Sequence, residues 1–522
     1  MVFRKDNILP YVTGVVVLLA AIPLLYVIHA SLQLSPAQWQ GLWHSRLPVL
    51  LGNTLTLVVL VGLGCLLLGV SAAWLIARRS FPGRRVALWL MVLPLTIPTY
   101  VLAYIYTSLL EPSGWLGRLW QAIWGDGSSP PDLYNVFGVA LVLSLSGFSY
   151  VFLMSYAAMR RGNPHLEEAA RLQGASSREV FWRITLPLIR PAVVAGLAVV
   201  TLHVLSDFGA VSMLRYQTFT LSIYLQMTGR FDYNGAAGLS LVLVFLALSF
   251  LVLERFFRSR QRYYFGNRVK RLPHRPASRS ELFLIWGWLG LIGLLAFVLP
   301  LLWMLSWSWA AWQQQAIGME FWGYLGNSLL VAFVAATVAV FAALPIGYYY
   351  NRARSWLSAV YLQLSSIGFV LPGPVVALGA LVFILTQLPL LYGGLLALLL
   401  ALVVRFLPLA VQSQEAALQQ LTPSVESAGR LLGASPLENL WRVVLPLIRG
   451  GMISAWVLVF IDVMKELPAT LILRPVGFDT LPVRIWIEAS EEMLELAAPA
   501  ALLLLLGSLP AMWIIMRGEA GR

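Results

Sequence analysis

Twelve apolar stretches dominate this chain, each close to the ~20 residues an α-helix needs to cross a bilayer. They run roughly over 11–31, 52–77, 86–110, 135–158, 191–214 and 236–256, then 282–309, 327–350, 357–386, 390–412, 450–473 and 494–516. A chain of 522 residues with 59% hydrophobic and 11% charged residues cannot cover that much apolar surface with its own polar residues; soluble domains carry about 25% charge. A soluble enzyme and a disordered chain are both excluded. The expectation is an all-α integral membrane protein with about 12 transmembrane helices. The first stretch is too long for the core of a secretory signal and has no small-residue cleavage site after it, so it is read as a span.

The net charge of +13 would suit a nucleic-acid binder, but the placement of the cations argues for topology instead. With the amino terminus in the cytoplasm and all twelve stretches spanning, 28 of the 36 Lys and Arg residues fall on the cytoplasmic side and 6 on the other. The remaining two, Arg405 and Lys465, lie in or beside apolar stretches. Such a bias orients membrane proteins. It predicts a multi-pass membrane protein with both termini cytoplasmic, in contact with lipid and with no nucleic acid. One Cys excludes a disulfide framework and a Cys-based metal site.

The two halves of the chain repeat each other. Residues 166–176 read LEEAARLQGAS and residues 425–435 read VESAGRLLGAS, an offset of 259. The same offset pairs Trp182-Arg183 with Trp441-Arg442, the run 186–190 (LPLIR) with 445–449 (LPLIR), and Asp207 with Glu466. The basic, Pro-containing segment 258–280 lies at the midpoint. The expected organisation is a first repeat over 1–257, a cytoplasmic linker over 258–280 and a second repeat over 281–522. Six spans per half make the copies parallel, related by an axis along the membrane normal.

The repeated loop has its own local logic. Asn163-Pro164 and Thr422-Pro423 are helix-start pairs, a capping residue followed by Pro at the first helical position. Glu167 and Glu426 follow in the first turn, where a carboxylate suits the helix dipole. Gly174 and Gly433 end these short helices. Ser176 with Glu179, and Ser435 with Glu438, form capping boxes for a second helix, which Pro187 and Pro446 are expected to end. Each half thus presents a cytoplasmic helix–turn–helix whose small residues (Ala169, Gly174 and Ala175; Ala428, Gly433 and Ala434) allow close approach of a partner.

These two segments resemble the EAA motif of bacterial ABC importer permeases of type I. The resemblance implies that Glu167, Ala169, Gly174, Ala175, Glu426, Ala428, Gly433 and Ala434 belong to coupling helices that dock on cytoplasmic ATP-binding subunits. The second copy departs from the pattern at Ser427 and Gly429. The stretches 205–224 and 462–486 resemble ferric-iron importer permeases in particular. That resemblance implies a fused two-half permease for ferric iron, a homodimeric ATPase and a periplasmic substrate-binding protein. Permeases for thiamine, phosphonate, sulfate or polyamine share the architecture, and a proton-coupled secondary transporter shares the repeat arithmetic.

No phosphate-binding GxxxxGK[ST] loop and no catalytic constellation occurs, so the chain is expected to be neither an ATPase nor another enzyme, and to need no cofactor. The ionisable residues within the fifth span of each half draw attention because intramembrane charge is costly. His203 and Asp207 are four residues apart, as are Asp462 and Glu466, which suggests a shared helix face. They are candidates for the translocation pathway; a satisfied network in which Lys465 neutralises one acid is the alternative. Asp207 is expected to be the more exposed to the passage and Glu466 the more paired.

Overall fold

The computed structural model describes residues 8–125, 127–161, 164–259, 275–353, 355–366, 368 and 371–520. Asn163 and residues 260–274 of the linker lie outside this set. The fold is all-helical apart from a two-residue parallel pairing of Arg79–Ser80 with Arg275–Pro276. Among the described residues, nine helices are long and apolar enough to cross a membrane. A helix pair, Arg84–Thr96 and Thr99–Trp124, is apolar enough to make a tenth when taken together and is bent by 98°. Two shorter apolar helices, Gly373–Gln387 and Glu495–Pro510, stand at the other two stretches.

Pro187 and Pro446 do not end their helices. The chain stays helical through both, because each proline follows a widened turn, Phe181–Thr185 in one half and Leu440–Val444 in the other. In these turns Leu186 N–H donates to the Phe181 carbonyl and Leu445 N–H to the Leu440 carbonyl. A proline lacks an N–H and crowds the carbonyl four residues back; the wider turn relieves both faults.

The helices fall into two compact units. One comprises Leu42–Leu221 and Val242–Gln313; the other comprises Met1–Gly41, Ser222–Leu241 and Gln314–Arg522. They are called here the first-half unit and the second-half unit. In the first-half unit, helix Leu47–Arg78 packs on Val136–Arg161 and Leu186–Ser206. The approach is close: a Cβ on Gly69 would lie 2.8 Å from the Phe148 carbonyl oxygen, so only glycine fits there. The span Arg279–Gln313, the first of the second repeat, belongs to this unit. Trp288 donates to Ser71 Oγ at 2.9 Å, Trp303 to Ser108 Oγ at 2.8 Å and Tyr106 to the Leu295 carbonyl at 2.5 Å.

The second-half unit has the same plan. Helix Met319–Ala353 packs on Leu395–Leu418 and Leu445–Met464. Helix Leu9–Leu32, the first span of the first repeat, packs on Gly373–Gln387 and Trp356–Ser365. Thr13 Oγ1 donates to the Pro345 carbonyl at 3.2 Å, and a Cβ on Gly379 would strike the Pro23 backbone. Each repeat therefore lends its first helix to the unit whose core the other repeat supplies. Composition carries no trace of this exchange.

Candidate coupling and passage site

The first of the two helices expected to dock, Pro164–Leu172, is fixed to the body of its unit through Glu167, which is 4% exposed. Arg78, in the last turn of Leu47–Arg78, pairs with Glu167 at 2.5 Å and donates to the Met159 carbonyl at 3.0 Å. Thr185 Oγ1 also donates to Glu167, at 3.0 Å. The second docking helix, Pro423–Leu431, repeats the device. Glu426, also 4% exposed, pairs with Arg352 in the last turn of Met319–Ala353, with Nε–Oε1 at 2.7 Å. Tyr348 OH donates to Glu426 at 3.1 Å, and the Asn439 amide donates to its backbone carbonyl at 3.1 Å. Neither glutamate is at the surface. Both are buried struts, and removing one partner of such a pair costs about 3–5 kcal/mol.

What the docking helices present to the outside is different. Ala169 and Ala428 are exposed, as are Gly174 and Gly433. Ala175 and Ala434 are half-buried. The equivalent leucines Leu172 and Leu431 are 90% and 88% exposed, and Leu432 is 89% exposed. Gly174 and Gly433 have φ of +90° and +91°, a backbone that L-residues rarely adopt. Each closes its helix with the next residue's N–H: Ala175 donates to the Ala170 carbonyl at 3.0 Å and Ala434 to the Gly429 carbonyl at 3.1 Å. A second turn follows at once. Ser176 N–H donates to Glu179 at 2.9 Å and Ser435 N–H to Glu438 at 2.9 Å. These bonds hold both exposed carboxyls below the usual glutamate range.

The four pathway candidates lie at helix breaks. Helix Leu186–Ser206 carries His203 in its last turn and stops before Asp207, whose backbone is extended. The two residues therefore do not share a helix face. Asp207 is buried and caps the next helix, accepting from the Ala210 and Val211 N–H groups at 3.0 and 3.3 Å. Thr99 Oγ1 donates to it at 2.5 Å, and Thr220 Oγ1 donates to its carbonyl at 2.5 Å. Helix Leu445–Met464 carries Asp462 and stops before Glu466. Glu466 is buried, accepts from Ala469 N–H at 3.1 Å and pairs with Arg405 at 3.2 Å. Both acids are thus bonded, and a cation paired with Glu466 is Arg405, on the neighbouring helix Leu395–Leu418. Among the described residues, no three His, Cys, Asp or Glu side chains come together as a metal site.

The residues that sequence reasoning missed share one cause. Arg78 and Arg352 are 274 residues apart, as are Thr99 and Gly373, whereas the docking motifs are 259 apart. The repeat changes register between Leu110 and Val136, where the first half carries the extra helix Trp115–Trp124 and the second half only the short turn Pro389–Leu391. Extending the repeat upstream with a gap would have found these partners.

A chain of two like membrane units, each with the repeated short helix fixed by a buried ion pair, has the form of a transport permease. The model of the binding-protein-dependent transport system inner membrane component family matches residues 65–263 and 335–517, once in each half. The Fe(3+)-transport system permease protein FbpB 2 of Haemophilus influenzae is 30% identical over 492 residues, 93% of either chain. A putative ferric transport system permease protein, FbpB 1, of the same organism is 26% identical over 84% of this chain and 72% of its own length. The sulfate transport system permease protein CysT of Escherichia coli is 28% identical and covers 49% of this chain and 91% of its own, so one half here corresponds to that whole protein. The chain belongs to the binding-protein-dependent transport system inner membrane component family. It is a multi-pass inner-membrane permease subunit, and a substrate-binding protein is part of the system it serves.

Proposed function

We propose that this chain forms the passage of an ATP-driven importer for ferric iron, both halves of the passage being carried on one polypeptide. The observation that carries the substrate is the match over 93% of both chains to a permease named for Fe(3+) transport. A periplasmic binding protein delivers the iron, and two copies of one ATP-binding subunit supply the energy. The docking helices Pro164–Leu172 and Pro423–Leu431 meet those subunits. Leu172, Leu431 and Leu432 are almost fully exposed, and Leu166 and Val425 of the same motifs are exposed too, which suits a protein partner better than water.

On this reading both termini and the linker 258–280 are cytoplasmic, and residues 1–257 and 281–522 are the two repeats. His203, Asp207, Asp462 and Glu466 set the geometry of helix breaks beside the passage. Reconstituting the chain in liposomes with its ATP-binding subunit and binding protein tests the proposal. Uptake of radioactive ferric iron should require ATP and the loaded binding protein. Uptake driven by a proton gradient without the ATP-binding subunit would overturn it, and ATP-driven uptake of sulfate but not iron would overturn the substrate.

A further inference from the structure

The second long helix of each half is held at both ends. In the first half Asn53 Nδ2 donates to the Gln217 carbonyl at 2.9 Å, and 25 residues later Arg78 pairs with Glu167 of the docking helix. In the second half Asn327 Nδ2 donates to the Asp479 carbonyl at 2.9 Å, and again 25 residues later Arg352 pairs with Glu426. Leu481 N–H adds a bond to Ser328 Oγ at 2.8 Å. The anchored loops are equivalent: Arg215–Thr220 follows the Asp207 break, and Arg474–Thr480 follows the Glu466 break. Twenty-five residues of helix span about 37 Å, more than the ~30 Å hydrocarbon core. The two anchors therefore stand on opposite faces of the membrane.

Each rod is continuous over the intervening turns. The second contains Pro345, which leaves the Phe341 carbonyl without its helical partner. Next to it, Gln414 Nε2 donates to the Val340 carbonyl at 2.7 Å and ties that turn to the neighbouring helix. Both anchors are specific in kind. A side-chain amide grips a loop carbonyl at one end, and a guanidinium grips a buried carboxylate at the other. A loop that shifts must either break the amide bond or carry the rod, and the rod carries the docking helix through a strut with almost no water around it.

From this we infer that Asn53 and Asn327 are positioning residues that link the extracytoplasmic loops 215–220 and 474–480 to the two docking helices through rigid rods. The inference rests on the proposed importer function, since it takes the docking helices to be cytoplasmic and the loops to face the binding protein. Its consequence is that arrival of the loaded binding protein is felt at the ATP-binding subunits through two parallel rods.

The test uses the assembled complex with Asn53→Ala, Asn327→Ala and the double variant. Assembly, melting temperature and basal ATP hydrolysis should remain as in the wild type. Stimulation of hydrolysis by the loaded binding protein should fall at least about fivefold in the double variant, the size of a modest coupling free energy, and less in each single one. Full stimulation in the double variant overturns the inference while leaving the importer reading intact; a wild-type complex that no binding protein stimulates overturns both. Should the double variant not assemble, hydrogen exchange on the wild-type complex decides. Adding loaded binding protein should change protection of residues 164–172 and 423–431, and unchanged protection there overturns the inference.

Discussion

The two helix breaks hold the same carboxylate by different means. In the first-half unit the buried Asp207 accepts from the Thr99 hydroxyl and from the Ala210 and Val211 N–H groups. In the second-half unit the buried Glu466 receives Arg405. The two solutions exclude each other in space. Gly373 stands where the other half has Thr99, and a Cβ there would lie 1.8 Å from Arg405 Nη1 and 2.6 Å from Pro468 Cγ. Arg405 in turn stands where the first half has Ser146. At these two positions one half has a threonine and a serine, the other a glycine and an arginine, and in the second the glycine makes room for the guanidinium. Symmetry of backbone thus survives an exchange of chemistry: one buried carboxyl is held by a hydroxyl and backbone N–H groups, the other by a guanidinium.

That difference is broken most severely at Arg405. Arg405→Ala should destabilise the second-half unit by about 3–5 kcal/mol, since it leaves Glu466 buried without its bonded cation. Thr99→Val removes one hydrogen bond to a charged group, about 1.5–3 kcal/mol. Thermal unfolding in detergent should rank the two in that order, and equal losses would erase the distinction. Gly373→Thr alone should cost at least about 1–3 kcal/mol from overpacking. Combined with Arg405→Ser it rebuilds the first-half arrangement and should cost less than the sum of the two single changes; additive losses would show that the two positions do not share one space.

The docking units sharpen the comparison from the other side, because there the halves agree. Glu167→Gln and Glu426→Gln should each release a docking helix, seen as faster hydrogen exchange over 164–172 or 423–431. The effect should be larger at Glu426, which accepts two bonds from Arg352 and one from Tyr348, where Glu167 accepts one each from Arg78 and Thr185. Gly174→Ala and Gly433→Ala should cost roughly 1–2 kcal/mol each, and equally, since φ is positive at both and a Cβ at either meets nothing within 4 Å. Bulkier replacements there should uncouple ATP hydrolysis from transport, measured as hydrolysis without uptake. Normal coupling with both glycines replaced would remove the docking assignment.

The smallest effect concerns the capping boxes. The Ser176 and Ser435 N–H groups hold Glu179 and Glu438 below the ordinary glutamate pKa. A depressed folded pKa stabilises above the ordinary value of about 4.3 and loses that contribution as pH falls below it. Backbone protection of the second helical turns should therefore weaken together in both halves as the pH falls below the ordinary glutamate value of about 4.3. Protection that rises on acidification would contradict the capping geometry.

The parts of this structure legible in the sequence are the local ones. Apolar runs mark the spans, and the docking unit declares itself through a capping serine, a terminal glycine and a fixed offset, all within about 15 residues. Long-range partners were not legible. Arg78 and Arg352 read as two more cytoplasmic cations until the fold places them against Glu167 and Glu426. Asp207 read as an in-helix neighbour of His203 because helical spacing was assumed to continue past Ser206. A chain break of that kind has no proline or glycine before it, and Gly209 two residues later is the only local hint. Pro187 and Pro446 misled in the opposite direction, since a widened turn absorbs each proline without ending the helix.

Cross-linking from the docking helices tests the shared design most directly. With Cys65 replaced by Ser, single cysteines at Leu172, Leu431 and, as a buried control, Val180 can be treated with a short thiol–thiol linker in the assembled complex whose ATP-binding subunit carries surface cysteines. Leu172→Cys and Leu431→Cys should both cross-link to the ATP-binding subunit, and Val180→Cys should not. Absence of cross-links from both leucine positions in an assembled, ATP-hydrolysing complex would contradict the docking of these two helices on the motor.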